Sequence, residues 1–305
     1  MKKLIIAGGT GFLGKELIKY LENDFDSIVI FSRSANKVEG KVTYLKWDAK
    51  TLGDWCGQLE SATAIINLCG KSVNCRYTKK NKSLILSSRI DSTKIIGEAI
   101  LKCSIPPKLW INGASATIYR YSEDNPMTEA KGEIGSGFSV EVCKAWEKIF
   151  NEFTLPNTRK TNLRISLVFG KTGGVFPVLV NMTKKGLGGK MGTGKQQVSW
   201  VHVHDFCSIV KWMIFNEKAV GPYNIVAEQP VTNKNLMALL RKKTNTSFGL
   251  PATKWMLEIG AFFLGTETEL ILKSRYAVPE RLLNEGYKFK YHNIEACVND
   301  LIVKE

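Results

Sequence analysis

The stretch Gly8-Gly9-Thr10-Gly11-Phe12-Leu13-Gly14 decides the fold that this sequence predicts. It follows a short apolar run at residues 3–7 and opens a segment at residues 12–21 whose apolar residues recur at helical spacing. Glycines between a buried strand and a helix let the backbone turn tightly and approach a pyrophosphate, which the free N–H groups of the helix then bind. An ordinary glycine-rich turn is the alternative, but the flanking strand and helix favour a dinucleotide site over this stretch.

Strand and helix patterns alternate through the first half of the chain. Apolar runs predict further strands at residues 27–31, 42–45, 64–68, 108–112 and 161–168, and helical spacing predicts helices at residues 79–103 and 140–153. Repeated strand–helix–strand units imply an α/β fold of Rossmann type, with a doubly wound parallel sheet. After about residue 170 the pattern loosens, which indicates a smaller, mostly helical C-terminal substrate lobe.

These patterns divide the chain into two regions. We expect residues 1–170 to form the dinucleotide-binding Rossmann domain, with residues 196–227 contributing partly to it. We expect residues 171–195 and 228–305 to form the substrate lobe and a C-terminal helical region. A substrate site would form where this lobe meets the first domain.

The end of the predicted second strand indicates which dinucleotide binds. Cofactors without a 2′-phosphate usually meet an acidic residue about 20 residues beyond the glycines, whereas this chain has Phe31-Ser32-Arg33-Ser34 there. The guanidinium of Arg33 can grip a 2′-phosphate, with hydroxyl donors from Ser32 and Ser34, although a solvated loop arginine is the alternative. The predicted cofactor is therefore NADP(H).

Further cofactor contacts are predicted at the ends of other strands. Asp48 follows the third strand, where a carboxylate can accept a hydrogen bond from the adenine amino group. The segment Leu68-Cys69-Gly70 follows the fourth strand and is expected along the central part of the cofactor. Arg89, Ser115 and Val168 complete the predicted contacts, and Arg89 supplies part of the positive charge that a phosphorylated dinucleotide needs.

The chain resembles the extended short-chain dehydrogenases/reductases. The resemblance rests on the glycine motif, Arg33, Asn67-Leu68-Cys69-Gly70, Ser115-Ala116-Thr117-Ile118-Tyr119, Arg164 and Trp200-Val201-His202-Val203-His204-Asp205. Arg76-Tyr77-Thr78, Ser88-Arg89-Ile90-Asp91 and the tail at residues 278–289 resemble an atypical branch, NAD-dependent epimerase/dehydratase proteins with a C-terminal domain of unknown function. The resemblance covers the whole chain and implies an oxidoreductase or epimerase acting on a small carbonyl or hydroxyl compound.

The catalytic residues of that superfamily are only partly present. Ordinary members use a serine or threonine with the tyrosine and lysine of a YxxxK motif, which exchange a proton while hydride moves at nicotinamide C4. Ser115 matches the serine, but Ser139 and Cys143 stand near the usual tyrosine and lysine positions. Tyr119 follows Ser115 by four residues and is a substitute proton donor, so Ser115 and Tyr119 are the predicted catalytic residues.

Two alternatives to this catalytic prediction remain open. Other proton donors that a cleft could use are Tyr121, Glu141, Lys144 and His202. A non-catalytic protein that binds NADP(H) as a sensor or scaffold is the alternative function, because the YxxxK machinery is missing.

Composition and charge restrict the remaining possibilities. The 305 residues include 44% hydrophobic residues, which excludes a disordered chain, and they carry a net charge of +15. The basic clusters at residues 79–82 and 241–243 fall on predicted helices without interleaved aromatic residues, so we expect solvated surfaces and no nucleic-acid partner. The pair His202 and His204 lacks a third ligand at convincing spacing, so no metal is predicted.

The cysteines and the apolar segments indicate the compartment. Seven irregularly spaced cysteines form no CxxC pair, which is typical of reduced thiols rather than of a disulfide framework. The apolar segments are too short to be a secretory signal or to span a membrane. We therefore expect a cytoplasmic protein, monomeric or homodimeric, that takes a small-molecule substrate and has no membrane partner.

Overall fold

The apolar run near the start of the chain forms an inner strand of the central sheet. The computed structural model describes residues 1–34, 36–263 and 265–302. In it, β1 (Lys3–Ala7) is fully buried along Leu4-Ile5-Ile6-Ala7. A strand that is apolar on both faces fits inside a sheet that helices cover on both sides. Residue 35, residue 264 and residues 303–305, which the predicted domain ranges include, lie outside the described residues.

Strands and helices alternate along the described residues. The strands after β1 are β2 (Ser27–Ser32), β3 (Lys37–Glu39), β4 (Val42–Lys46), β5 (Ala64–Asn67), β6 (Leu109–Ser115), β7 (Arg159–Ile165), β8 (Leu167–Phe169), β9 (Gln197–Val198), β10 (Trp200–His202), β11 (Gly221–Ile225) and β12 (Val231–Thr232). The α-helices are α1 (Phe12–Leu21), α2 (Lys79–Leu101), α3 (Phe138–Glu152), α4 (Phe176–Met182), α5 (Val203–Phe215), α6 (Asn233–Lys243), α7 (Lys254–Phe263), α8 (Glu269–Leu272), α9 (Glu280–Asn284) and α10 (Ile294–Leu301).

The central sheet has eight strands in the order β11-β7-β6-β5-β1-β2-β4-β3. Seven of them are parallel, and the short edge strand β3 pairs antiparallel with β4. The chain builds outward from β1 first through β2 and then through β5, so the direction of winding reverses between β1 and β5. The predicted α/β fold of Rossmann type is confirmed.

Alternate side chains of β1 pack in two hydrophobic cores, one on each face of the sheet. Leu4 and Ile6 lie in the core that α1 and α5 cover. Ile5 and Ala7 lie in the core that α2 and α3 cover. Both faces of the sheet are therefore shielded from water, as a doubly wound fold requires.

The C-terminal part of the described chain is mostly helical, as predicted. Helices α6 and α10 pack around a third core that includes Trp200, Met237 and Val298. Two small sheets, the parallel pair β8 and β10 and the antiparallel pair β9 and β12, connect this region to the central sheet. No helix among the described residues has both the length and the apolar character needed to cross a membrane.

The prediction of one strand over residues 161–168 is wrong. The structure ends β7 at Ile165 and begins β8 at Leu167, which pairs with β10 instead of continuing in the central sheet. Ser166 lies at the break, where its backbone N–H and its hydroxyl both donate to the carbonyl of Ile225 at the end of β11. The apolar run looked continuous because both strands are buried.

A buried ion pair joins α3 to the central sheet. The guanidinium of Arg164, on β7, donates from Nε and Nη2 to the two carboxylate oxygens of Glu147, both at 2.8 Å. The two side chains are 10% and 11% exposed. Burial acts to lower the pKa of Arg164, but the hydrogen bonds and the charge of Glu147 outweigh it and raise the pKa. Removing either side chain would therefore leave the charge of the other one buried without a counter-ion.

We expect Glu147→Ala to destabilise the fold by roughly 3 to 5 kcal/mol, because it leaves Arg164 buried without its counter-ion. Urea unfolding followed by circular dichroism measures this free energy. The control is Glu141→Ala on the same helix, whose exposed ion pair with Lys144 is expected to contribute less than about 1 kcal/mol. Equal losses in the two variants would contradict the importance assigned to the buried pair.

Candidate functional site

A cavity of about 510 Å³ opens at the carboxyl ends of β1, β5 and β6. It lies where the winding of the sheet reverses, which is where open α/β sheets bind ligands. The predicted site residues that line it are Gly8, Gly11, Phe12, Leu13, Gly14, Leu68, Cys69, Gly70, Arg89 and Ser115. The predicted site residues outside its lining are Gly9, Thr10, Ser32, Arg33, Ser34, Asp48, Tyr119 and Val168.

The glycine turn lies against the end of β5 with no room for side chains. Gly8 has φ +77°, and a Cβ there would lie 3.1 Å from the backbone of Leu68 and Cys69. A Cβ on Gly14 would lie 2.4 Å from Gly9, so the first turn of α1 packs directly on the preceding loop. No side chain caps the start of α1, at Gly11. Phe12, Leu13 and Gly14 in the first turn of α1 line the cavity and, with the glycine turn, form a cradle of the kind that binds phosphate through free backbone N–H groups.

The residues that follow β2 and β4 lie beyond the cavity. Arg33 is exposed, and the Ser32 hydroxyl accepts a hydrogen bond from the backbone N–H of Ser34 at 3.3 Å. The carboxylate of Asp48 accepts hydrogen bonds from the Thr51 and Lys50 backbone N–H groups and from the Thr51 hydroxyl, which lower its pKa to about 2. Asp48 is therefore held in a local turn.

Arg33 follows β2 directly, and the end of β2 lies beside the glycine turn, where the backbone N–H of Gly8 donates to the carbonyl of Phe31 at 2.9 Å. Burial raises the pKa of the Cys69 thiol to about 12, and the positive charge of Arg33 opposes this rise. Val168, by contrast, is buried in the hydrophobic core beside β10.

Arg89 is fixed in the cavity wall. Its Nη1 donates to the carbonyl oxygens of Ile85, at 2.9 Å, and Lys71, at 3.1 Å. Its guanidinium lies over the ring of Trp146, 5.1 Å from the centroid, and a Cβ on Gly70 would lie 3.1 Å from its Cζ. The missing side chain at Gly70 therefore makes room for a rigidly held positive charge.

Ser115 lies at the end of β6 with its side chain in the cavity wall. Its hydroxyl accepts a hydrogen bond from the backbone N–H of Thr117 at 3.2 Å, at the start of the helical turn Ala116–Ile118. The hydroxyl proton has only a long contact, 3.5 Å, to the carbonyl of Ile165. Ser115 is therefore positioned to donate a hydrogen bond to a ligand in the cavity.

The structure does not bring Tyr119 to the cavity. The helical turn after Ser115 directs Tyr119 into the protein, where it is 1% exposed. Its hydroxyl donates to Asn224 Oδ1 and accepts from Arg164 Nη1, both at 2.8 Å. The predicted catalytic role for Tyr119 is not compatible with this buried network.

The other proton donors considered from the sequence also lie outside the cavity lining. Tyr121 is exposed and bonds to Glu123, while Glu141 and Lys144 pair with each other on the surface of α3. His202 is buried, its Nε2 lies 3.2 Å from Asp300, and burial lowers its pKa to about 4.

Helix α3 places Ser139 and Cys143 on the cavity, as the missing YxxxK motif implied. Burial raises the pKa of Cys143 to about 11, so its thiol stays protonated at neutral pH. The Ser139 hydroxyl donates to Glu269 Oε2 at 3.0 Å and lies 3.4 Å from the hydroxyl of Tyr77. Ser139 and Cys143 therefore cannot take the roles that the tyrosine and lysine of YxxxK have in ordinary members.

Tyr77 and Arg275 are among the cavity residues that were not predicted as site residues from the sequence. Tyr77 comes from the loop before α2, and Arg275 comes from the segment after α8. The Arg275 Nε donates to the Thr117 hydroxyl at 3.1 Å. Tyr77 belongs to a stretch that carried the family resemblance, which was the one available signal, whereas no motif marked Arg275.

Comparisons with known proteins agree with this architecture. A model of the NAD dependent epimerase/dehydratase family matches residues 4–226, and a model of the domain of unknown function DUF1731 matches residues 252–301. Epimerase family protein YfhF of Bacillus subtilis (strain 168) is 30% identical over 300 residues, 98% of this chain and 97% of the relative.

Two further proteins match over almost their whole length. Epimerase family protein SAR0825 of Staphylococcus aureus (strain MRSA252) is 30% identical over 312 residues, which cover 100% of both chains. The crystal structure of human epimerase family protein SDR39U1 (isoform2) with NADPH has a TM-score of 0.87 and 24% identity, covering 98% of this chain and 99% of the human chain. The fold, the glycine cradle and these matches together show that the chain belongs to the NAD-dependent epimerase/dehydratase family.

Proposed function

We propose that this protein binds NADP(H) and works as an oxidoreductase or epimerase on a small carbonyl or hydroxyl compound. One observation carries the proposal: the glycine cradle and Ser115 line the same cavity, so the phosphate end and the reacting end of a dinucleotide have adjacent places. When bound, the cofactor supplies or accepts hydride at nicotinamide C4. The Ser115 hydroxyl binds the substrate oxygen and polarises the carbonyl bond.

The position of Arg33 supports NADP(H) over NAD(H). Arg33 is exposed directly after β2, whose Phe31 carbonyl accepts a hydrogen bond from the Gly8 N–H of the glycine turn, so Arg33 can pair with a 2′-phosphate next to that turn. The human relative of similar fold was crystallised with NADPH. Asp48, although held in its turn, follows β4 and remains our proposed neighbour of the adenine ring.

We expect Arg33→Ala to weaken NADPH binding at least about tenfold while leaving NADH binding within about twofold, because one charge-assisted contact to the 2′-phosphate is lost. Titration calorimetry with both cofactors measures the two affinities. Arg120→Ala is the matched control, since it removes an equal charge from an exposed ion pair elsewhere. An unchanged NADPH-to-NADH ratio in Arg33→Ala would refute the assignment.

We expect Ser115→Ala to lower NADPH consumption with carbonyl compounds by roughly 100-fold, because the substrate oxygen loses a positioned hydrogen-bond donor. Absorbance at 340 nm with a panel of aldehydes and ketones measures the rate, and NADPH affinity, measured separately, is expected to fall far less than the rate. The exposed Ser104→Ala serves as the control. Full turnover by Ser115→Ala would remove this residue from the mechanism.

A non-catalytic sensor or scaffold that holds NADP(H) is the second candidate function. It is favoured by Ser139 and Cys143, which replace the tyrosine and lysine of the usual catalytic pair on the cavity wall. Both candidates require NADPH binding, so turnover separates them. Failure of the wild-type chain to oxidise NADPH with any carbonyl compound would favour the second candidate.

We further propose that the protein works in the cytoplasm, as a monomer or homodimer, without a nucleic-acid or membrane partner. The seven free thiols support a reducing compartment, because none is paired in a disulfide.

A further inference from the structure

Tyr77 lines the cavity next to Ser139, the position near which the YxxxK tyrosine of ordinary members falls. The Tyr77 hydroxyl lies 3.4 Å from the Ser139 hydroxyl oxygen. Tyr77 reaches this point from a different part of the chain, the loop before α2. We propose that Tyr77 is the proton donor to the substrate oxygen and that Arg275 supplies the positive charge of the missing lysine. This inference rests on the function proposed above.

The loop that carries Tyr77 is held by the C-terminal segment. The backbone N–H of Tyr77 donates to Glu267 Oε1 at 2.7 Å, and Arg76 forms an ion pair with the same carboxylate at 3.4 Å. The ring packs edge-on against Phe138 at a centroid distance of 5.0 Å. The backbone bond to Glu267, the ring packing on Phe138 and the approach of the hydroxyl to Ser139 together hold the Tyr77 side chain in the cavity wall.

The electrostatic surroundings suit a donor that is neutral before the reaction. Burial raises the pKa of Tyr77, and the charges of Glu269 and Cys75 add to this rise, while the hydrogen bond to Ser139 and the positive charge of Arg275 oppose it. The charged and titratable groups around Tyr77 are Cys75, Arg89, Cys143, Glu267, Glu269 and Arg275. The phenol is therefore protonated at neutral pH, and the nearby guanidinium stabilises the phenolate that forms when the proton leaves.

The reaction balances with these groups. In the reductive direction the carbonyl carbon gains hydride and is reduced, the nicotinamide is oxidised, and the carbonyl oxygen takes the phenolic proton of Tyr77. The phenolate then regains a proton from water and leaves hydroxide to the solvent, while the Ser139 hydroxyl, which donates to Glu269, stays beside the phenolic oxygen. Glu269 also lines a second cavity of about 750 Å³, so water reaches the neighbourhood of the Tyr77 and Ser139 hydroxyls.

The first test is Tyr77→Phe, which keeps the ring and its packing on Phe138 but removes the hydroxyl. We expect NADPH oxidation with butanal to fall roughly 100-fold or more, because a general acid is lost. Turnover of 9,10-phenanthrenequinone is expected to fall less, since a hydroquinone anion is a weak base and needs less protonation. NADPH affinity and the melting temperature are expected to match wild type.

Tyr44→Phe provides the matched control, because Tyr44 lies on β4 beside Lys37 and outside the cavity lining. If wild type is active and Tyr77→Phe equals it, the role of Tyr77 is overturned and the proposed function stands. If wild type oxidises NADPH with neither probe nor any other carbonyl compound, both proposals fall. Equal losses with butanal and the quinone would also count against a proton-donating role.

The second test reads the ionisation of Tyr77 without cofactor or turnover. The tyrosinate absorbance of wild type minus that of Tyr77→Phe gives the titration of this one phenol. Arg275→Gln is expected to move that titration to higher pH, because the phenolate loses its neighbouring positive charge. Lys37→Gln, which removes an equal charge from an exposed side chain outside both cavity linings, is expected to leave it in place. A titration unaffected by Arg275→Gln would overturn the role given to Arg275.

The pH dependence of turnover gives an independent check. The neutral phenol is the donor, so reduction is expected to be lost as pH rises above the raised pKa of Tyr77. The residual activity of Tyr77→Phe should lack this alkaline loss. An identical alkaline loss in both proteins would assign the titration to another group and contradict the proposal.

Discussion

The whole site depends on the close approach of the turn after β1 to the end of β5. A Cβ on Gly8 would lie 3.1 Å from the backbone of Leu68 and Cys69, and a Cβ on Gly14 would lie 2.4 Å from Gly9, so a side chain at either position would push the backbone apart. This contact places the first turn of α1 at the carboxyl ends of the strands, and no side chain caps the N–H groups of that turn. The cavity exists because two chain segments that would normally be separated by side chains meet through backbone alone.

Around this contact the protein assembles the reacting end of the cavity from distant parts of the chain. Ser115 comes from the end of β6, Ser139 from α3, Tyr77 from the loop before α2 and Arg275 from the C-terminal segment. In ordinary members of the superfamily one helix carries both the tyrosine and the lysine. Here the helix carries a serine and a neutral thiol, so any acid–base chemistry must come from the residues that face it.

The buried polar groups behind the cavity have a separate task. Tyr119, Arg164, Glu147 and Asn224 form a hydrogen-bonded network that ties α3 to the sheet. Removing any one partner would lower the stability of the fold, because it would leave another polar or charged group unpaired in a low-dielectric interior. It fixes the position of α3 against the sheet, and thereby the position of Ser139 on α3 relative to Ser115 at the end of β6.

The sequence by itself determined the Rossmann-type sheet and the glycine cradle, because glycine spacing and apolar runs are local signals that act within a few residues. It also located Ser115, Ser139 and Cys143, since each lies at a definite offset from a recognisable element. Tyr119 was assigned wrongly because its sequence distance from Ser115 is short, while the intervening helical turn sends it into the core. Only the tertiary structure decided that Tyr77 and Arg275 share the cavity. Their common place depends on how the C-terminal segment packs on the loop before α2, where Glu267 accepts from the Tyr77 backbone N–H, and no local pattern encodes the distance between residues almost 200 positions apart.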